Sequence, residues 1–333
     1  MLILGVDVSK ATLALALWQE GAVQALDPVS NTPDGWDGLV SVLALQMPTS
    51  TLAELAVVLE PTGGYELPFA LWAYQRGWRV HRPNPRQVRE WARSQGRRAK
   101  TDRQDALVLA RYGAAWQMPC WQPLSSEVSE LEALLRRREE VAGLLQQERN
   151  RHLHVQGRPG MHQAVPKSME RVIGVLEEDL HEIEQAIADQ QAQHHQMQQT
   201  CLRLRSVPGV GAKNVLPLFV LLARWQTLTD GQGTSRGLVA YAGLDPQPYE
   251  SGTSVTRRAS ISRQGDRSLR RALYMGAMGA LHGDNPVRAF YQRLVGRGKA
   301  KKLALVAAMR KILVWAWAVF HSGLPFDAAK TGA

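Results

Sequence analysis

Two short apolar runs that each end on an acid constrain this chain most. Leu2 to Val8 is apolar apart from Gly5 and Asp7, and Leu55 to Leu59 is apolar until Glu60-Pro-Thr-Gly-Gly64 breaks it. Apolar runs of this length, bounded by turn residues, read as buried strands. An ionised carboxylate is badly placed at such an end unless it has a partner or a task. Thr12 to Trp18 supplies an antiparallel neighbour for the first run. Tyr65 to Gln75 has helical spacing, and Trp78 to His81 forms a fourth strand before Pro83 and Pro85. The first hundred residues are therefore expected to be α/β.

Beyond Pro85 the pattern turns helical, with Thr101 to Tyr112 a helix of good formers and Ser125 to about His154 a long, Leu-rich one. Gly157, Pro159 and Gly160 punctuate the chain. Met169, Ile173, Leu176, Leu180, Ile183 and Ile187 then recur at alternating spacings of four and three, a heptad seam that suits a helical hairpin or a dimerising coiled coil. Val215 to Trp225 is a strongly apolar helix, Thr227 to Gly265 is Gly-rich and polar, and Ser268 to His282 and Lys299 to Phe320 are further helices.

At 333 residues the length predicts about two domains, and an apolar share of 45 % excludes wholesale disorder. Lys and Arg number 40 against 30 Asp and Glu, and the resulting charge of +10 points to a polyanionic partner. Only Cys120 and Cys201 are present, too few for a disulfide framework or a four-cysteine zinc site, which suggests a reducing cytosol. The N-terminus lacks the basic segment of a signal peptide. Arg310 and Lys311 at the centre of the last apolar stretch favour a core helix over a membrane span. The expected protein is soluble, cytoplasmic and nucleic-acid-facing, with no membrane partner.

Four carboxylates form the most informative constellation. Asp7 and Glu60 sit at strand ends, and Asp102 and Asp105 lie three apart on a helix, so they share a face. Such a set can hold two Mg²⁺ ions that clamp the attacking and leaving oxygens of a phosphodiester. The plainer alternative is that Asp7 starts a turn, Asp102 caps a helix and Glu60 pairs with an arginine. Arg86, Arg89, Arg93 and Arg97 fall on one helical face with Arg82, Arg98 and Lys100 around them and only Glu90 in opposition, which favours a phosphate-tracking surface. Trp91 there is either a base-stacking or a core residue. Ser206-Val-Pro-Gly-Val-Gly211 is either a hairpin turn whose backbone N–H groups approach a phosphate or a plain connector. Ser251, in Tyr249-Glu-Ser-Gly-Thr-Ser254 before Arg257 and Arg258, can present a nucleophilic hydroxyl, although Ser-Gly is also ordinary turn chemistry. Arg263, Arg267, Arg270 and Arg271 extend the basic surface, and the histidines show no zinc-site spacing.

Taken together, Gly5-Val-Asp7-Val-Ser-Lys10, Glu60-Pro-Thr-Gly-Gly-Tyr65 and Lys100-Thr-Asp102-Arg-Gln-Asp105-Ala106 resemble the DEDD motif of the insertion-sequence one-ten transposases and Piv-type invertases. Pro208-Gly-Val-Gly211, Tyr241-Ala-Gly-Leu-Asp-Pro246, Ser251-Gly252 and Arg267-Ser-Leu-Arg-Arg-Ala-Leu-Tyr274 resemble that family's C-terminal domain. The resemblance implies a RuvC-like (ribonuclease-H-type) catalytic domain over 1–155, a coiled-coil, dimerising segment over 156–200 and a mostly helical transposase domain over 201–325. It further implies that Asp7, Glu60, Asp102 and Asp105 hold Mg²⁺ and that Ser251 joins covalently to DNA. Implied partners are element-end and target DNA, a guiding bridge RNA and further protomers in a dimer or tetramer with composite active sites, in a bacterial, nucleoid-associated setting. Glu250 departs from the Gln usual before the serine. The competing readings are a RuvC-like structure-specific nuclease that needs no serine, and a non-catalytic nucleic-acid-binding protein.

Overall fold

The computed structural model describes the backbone of residues 1–46, 48, 52–96, 101–116, 119–251 and 255–331, with all their side chains except those at 46, 248–251, 255–259, 330 and 331. It divides into two compact units, Met1–Pro123 with Thr227–Thr229, and Leu124–Gln226 with Asp230–Ala333.

The first unit is built on a five-stranded sheet of β1 (Leu2–Val8), β2 (Thr12–Gln19), β3 (Ala22–Ser30), β4 (Ala56–Leu59) and β5 (Arg79–His81), in the order β3-β2-β1-β4-β5. β1, β2 and β3 form an antiparallel meander, while β4 pairs parallel with β1 and β5 parallel with β4. With it go α1 (Pro33–Gln46), α2 (Leu67–Gln75), α3 (Pro85–Ser94) and α4 (Asp102–Ala115). Leu2, Leu4, Val6 and Val8 of β1, with Val57 and Leu59 of β4, turn to one face and pack on Trp36, Leu39 and Leu43 of α1 and Phe69, Ala70 and Ala73 of α2. Ile3 of β1 and Ala56 and Val58 of β4 turn to the other, against Val88 of α3 and Val108, Leu109 and Tyr112 of α4. A sheet covered on both faces explains why these strands read as unbroken apolar runs. The arrangement is consistent with the RuvC-like expectation.

At Gly5 α4 comes so near the sheet that a Cβ would lie closer than 3.0 Å to the Ala106 oxygen, the Ala110 nitrogen and the Ala110 Cβ. Ala16 of β2 meets Ala106 and Ala110 on the same face, and Gly113 fits against Ile3 and Val58. The small residues of α4 thus form its contact stripe.

β3 and α1 lie outside the elements expected from the pattern. β3 is an edge strand, half exposed, with Asp27 and Pro28 in its run, so its alternation is weak. α1 carries Gly35 and Gly38, poor helix formers, and is held by burial of Trp36, Leu39 and Leu43.

In the second unit, α5 (Ser126–Val155) and α6 (Ala164–Gln193) form an antiparallel hairpin. Gln190 Nε2 near the end of α6 donates to Glu127 O at the start of α5 (2.8 Å), and Arg149 pairs with Glu177 (2.7 Å). The heptad seam is half-buried from Met169 to Ile183, and Ile187 and Gln190 are buried. Its partner in this chain is α5, the hairpin alternative; a coiled coil between protomers is not needed to account for the spacing. The expected first domain, 1–155, includes α5, whereas the compact unit closes at Pro123. Val128, Leu131, Val141 and Leu145 of α5 are buried, and its Glu132 and Glu139 pair with Arg224 and Arg271 of the second unit.

Then come α7 (His195–Leu204), α8 (Val215–Leu228), α9 (Ser235–Tyr241), the hairpin of β6 (Pro246–Ser251) and β7 (Val255–Ile261), α10 (Arg267–Ala280), α11 (Pro286–Gly296) and α12 (Lys301–Ser322). The Gly-rich, polar stretch from Thr227 to Gly265, to which the pattern assigned no element, therefore holds a short helix and a two-stranded sheet. α12 packs against α7, α9, α10 and α11. Arg203 Nη1 donates to the oxygen of Gly323 just beyond its C-terminus (3.0 Å). α12 is long and apolar enough to cross a membrane, but half of its most apolar stretch is buried inside the unit, as a core helix would be.

The close approach at Gly5 makes a direct prediction. Gly5→Ala should lower folding stability by about 1–3 kcal/mol, the usual cost of overpacking a tight contact. Gly38→Ala, where nothing lies within 4 Å of the added Cβ, should be neutral or stabilising. Urea unfolding midpoints at unchanged m-value check both.

Candidate active site

Strand alternation assigns the first two carboxylates to one face. Asp7 shares its parity with Ile3 and Gly5 on β1, and Glu60 continues the parity of Ala56 and Val58 on β4. Val6 is in register with Leu59 on the neighbouring parallel strand, so the next residues along, Asp7 and Glu60, end adjoining strands on the α4 side of the sheet. Ala106 sits over Gly5, so the first turn of α4, with Asp102 and Asp105, lies at that same end. Thr101 caps the helix by accepting from Gln104 N (3.3 Å), which leaves Asp102 and Asp105 as first-turn acids stabilised by the helix dipole. Asp7, Glu60 and Asp105 are half-buried and Asp102 is exposed.

Among the described residues no three His, Cys, Asp or Glu side chains are close enough together to form a metal-holding group. The fold brings the carboxylates to one end of the sheet. Like charges at close range repel, and a divalent cation offsets that repulsion. An all-carboxylate set suits a hard ion such as Mg²⁺ in donor chemistry.

The turn after Glu60 is shaped by a residue that sequence reasoning passed over. Gly63 and Gly64 take φ of +64° and +103°, open to glycine at little cost. The Glu66 side chain, only 2 % exposed, reaches back so that Oε2 accepts from Thr62 N (2.9 Å) and Gly64 N (3.0 Å), while Oε1 pairs with Arg82 Nη2 (2.5 Å). The Arg82 guanidinium stands 5.5 Å from the centroid of the Trp121 ring. Asn31 Nδ2 donates both to Ser9 O (3.0 Å), two residues after Asp7, and to Tyr65 O (3.2 Å), in the turn after Glu60. Its Oδ1 accepts from Trp36 Nε1 (3.2 Å).

On α3, Arg86, Arg89 and Arg93 are exposed and Val88 is buried beneath them, as the spacing predicts. Arg86 pairs with Glu90 (2.8 Å). The helix ends at Ser94 and Gly96 turns left-handed; Arg97, Arg98 and Lys100 lie outside the described residues. Trp91 packs edge-to-face on Tyr112 (5.5 Å) and belongs to the core beneath α4.

Ser251 ends β6, opposite Val255, and Tyr249 lies opposite Arg257. The side chains of Ser251, Glu250, Arg257 and Arg258 are outside the described set, as are residues 252–254. Arg270 Nη1 donates to Gly265 O (2.5 Å) and Ala242 O (3.3 Å), and burial draws its pKa below the usual arginine value. Arg271 pairs with Glu139 (2.9 Å), and Arg267 is exposed. In the Ser206–Gly211 turn, the Gly211 N–H is taken by Asn214 Oδ1 (2.7 Å), and Asn214 Nδ2 donates to Gly209 O (2.8 Å). This turn is braced internally, as a connector is.

Residues 4–155 match a transposase family model of the DEDD, IS110 type, and residues 201–292 match that of the transposase IS116/IS110/IS902 family. The chain is similar to the pilin gene-inverting proteins of Moraxella lacunata, 31 % identical over 97 % of both chains, and of Moraxella bovis, also 31 % identical over 97 % of both. It also resembles the transposase for insertion sequence element IS1111A of Coxiella burnetii, at 25 % identity over 70 % of this chain and 69 % of that one. The chain belongs to the IS110 family of DEDD transposases and recombinases. As an IS110-family member it is a DNA transposase/recombinase, and its substrate is DNA. The first family match takes in Asp7, Glu60, Asp102 and Asp105, and the second takes in Ser251.

Glu66 ties this site to pH. Burial pushes its carboxyl up, but the Thr62 N–H, its own N–H, Arg82 and the Gly64 N–H together hold it below the ordinary 4.5. A depressed carboxyl stabilises the fold at pH above its unfolded value and loses that contribution as pH falls through the folded one. The urea midpoint of the wild type should therefore fall more steeply below about pH 4.5 than that of Glu66→Gln.

Proposed function

We propose that this recombinase cuts and rejoins DNA with the four carboxylates as its divalent-ion site and Ser251 as its nucleophile. The observation that carries the reading is the common address of Asp7, Glu60, Asp102 and Asp105 at one end of β1, β4 and α4, on one face of the sheet. Asp7, Glu60 and Asp105, with Asp102 at the rim, would hold two Mg²⁺ ions. When bound, such ions supply Lewis-acid polarisation of the phosphodiester. The protein's own part is to present oxygen ligands at rigid strand and helix ends, and to place the hydroxyl and the arginines.

Ser251 Oγ attacks the scissile phosphorus, forms a serine phosphoester and expels the deoxyribose oxygen, which leaves as a hydroxyl carrying the serine's proton. A hydroxyl of the exchanging strand then attacks that ester, re-forms a phosphodiester and returns the proton to Ser251. Arg257 and Arg258 on β7 offset the charge that builds on the phosphate. Arg86, Arg89, Arg93 and Arg97, with Arg267 and the exposed Arg271, track the nucleic-acid backbone; Arg270 contributes by bracing Gly265 and Ala242, which flank the β6–β7 hairpin. A bridge RNA guides the choice of element-end and target DNA, and protomers assemble as a dimer or tetramer so that the carboxylates of one meet the serine of another. The functional domains on this reading are 1–155, 156–200 and 201–325, and the enzyme works in the bacterial cytoplasm at the nucleoid.

Expression with native flanking DNA, followed by incubation with labelled element-end DNA and Mg²⁺, tests the chemistry on a denaturing gel. Wild type is expected to give a covalent protein–DNA adduct that Ser251→Ala loses, and Asp7→Asn, Glu60→Gln or Asp105→Asn should abolish cleavage. Cut product without adduct from both wild type and Ser251→Ala would establish the nuclease instead.

Binding should weaken steeply with salt. Replacing Arg89 and Arg93 together with Ala should reduce the slope of log K against log salt by about 2, one for each phosphate no longer neutralised. Arg270→Ala should leave the slope unchanged, because its guanidinium is held by the Gly265 and Ala242 carbonyls.

A further inference from the structure

Glu66 is a poor candidate for a metal ligand. Both its oxygens are taken, one by two backbone N–H groups and the other by Arg82, and the carboxylate is 2 % exposed. It is too well placed to be incidental: the two N–H groups belong to Thr62 and Gly64, the second and fourth residues after Glu60. Thr62 Oγ1 in turn donates to the Glu60 carbonyl (3.1 Å), so the chain leaving Glu60 is fixed by three hydrogen bonds, two at Thr62 and one at Gly64. A buried carboxylate in a pair of N–H groups, with a guanidinium on its other side, is a charge-assisted clamp in a low-dielectric setting.

Asn31 supplies an independent link. It is the one described side chain seen to donate to both the loop after Asp7 and the turn after Glu60, through Ser9 O and Tyr65 O. Its acceptor end is fixed by Trp36 Nε1, so the amide is held in a single orientation by a core residue. Asn31 spans 22 residues to Ser9 and 34 to Tyr65, far beyond any local turn motif.

We infer that Glu66 and Asn31 are positioning residues for the carboxylate site: Glu66, locked by Arg82, sets the path of the turn that carries Glu60, and Asn31 sets the separation between that turn and the loop that follows Asp7. The inference rests on the reading of Asp7 and Glu60 as divalent-ion ligands. Arg82 begins the segment that leads from β5 through Pro83 and Asn84 into the basic helix α3, so the clamp also joins the Glu60 turn to the entry of the proposed DNA-binding helix. Residues that orient metal ligands typically matter to metal affinity by 10–100-fold.

The test is Mn²⁺ binding to the full-length protein without nucleic acid, followed by the electron paramagnetic signal of free Mn²⁺, beside Mg²⁺ titrations of DNA cleavage and thermal melts of the same samples. Glu66→Gln keeps an acceptor for the two N–H groups but removes the charge that holds Arg82. It should weaken Mn²⁺ binding by about tenfold and raise the half-saturating Mg²⁺ similarly. Asn31→Ala, which changes no charge and sits at a half-buried position, should shift both in the same direction by several-fold while remaining folded, so the inference stands or falls on it even if Glu66→Gln fails to fold. Folded variants that melt at lower temperature yet keep wild-type Mn²⁺ affinity and Mg²⁺ dependence would mean a purely structural role and overturn the inference. Glu60→Gln runs alongside to separate the two claims. If it binds Mn²⁺ and cuts DNA as wild type does, the ligand reading itself fails and takes this inference with it. If it loses both while Asn31→Ala and any folded Glu66→Gln keep both, only the positioning inference fails.

Discussion

The backbone of β1 runs directly beneath α4 at Gly5, and the rest of the catalytic unit depends on that approach. A side chain of any size there would push the helix off the sheet, because the atoms it would meet are the Ala106 carbonyl and the Ala110 nitrogen, both backbone. The contact does two things at once. It lets Ala106, Ala110 and Gly113 bury the helix against β1, β2 and β4, and it delivers the acidic first turn of α4 to the strand ends where Asp7 and Glu60 stand. The packing that stabilises the domain is therefore also the packing that assembles its acids. A loose α4 would leave Asp102 and Asp105 with no fixed relation to Asp7 and Glu60.

Clustering acids in a protein of charge +10 that binds a polyanion needs compensation, and the structure supplies it locally. Asp102 and Asp105 lie at a helix N-terminus, where the backbone dipole favours them. Glu66 is balanced by Arg82 inside the fold, and Thr62 and Gly64 donate to it. The exposed arginines of α3 face solvent, with Val88 and Trp91 turned inward beneath them. The acidic strand and helix ends and the exposed arginines of α3 are thus separated by element, so like and unlike charges are not mixed along one surface.

Much of this was legible in the residues, and the failures have physical causes. β1, β2, β4 and β5 announced themselves because both faces of the sheet are covered, so their sequences carry few polar interruptions. The strand-end acids stood out for the same reason. β3 escaped because an edge strand with Asp27 and Pro28 lacks both continuity and alternation, and the β6–β7 hairpin escaped because Pro246, Pro248 and the nearby glycines mimic loop composition. The heptad seam was visible, but a seam does not say whether its partner is another chain or a helix of the same one. Here α5 meets it, through contacts such as Arg149 with Glu177 that join positions 28 residues apart. Trp91 and Arg270 show the same limit. Each has the composition of a nucleic-acid contact, and only tertiary partners, Tyr112 for one and the Gly265 and Ala242 carbonyls for the other, reveal that it is engaged within the fold.

Glu66 and Asn31 mark where sequence reasoning stops for a reason that applies to any such site. A ligand can be suspected from its own position, because a charge at the end of an apolar strand is anomalous by itself. A residue that holds a ligand in place is anomalous only in the company of its partners. Glu66 stands one residue before a helix, where an acid is unremarkable. Its meaning comes from Arg82, 16 residues on, and from the N–H groups of a turn whose left-handed glycines set the path. Asn31 reads as an ordinary turn residue between β3 and α1 until Ser9 and Tyr65 are seen on its amide. The two differ in what they resist. The Glu66 clamp fixes local shape and is charged, so it weakens as pH falls. The Asn31 bridge fixes distance and is neutral, so it does not. The two restraints are complementary, one shaping the turn after Glu60 and the other tying that turn to the loop after Asp7 at a set distance.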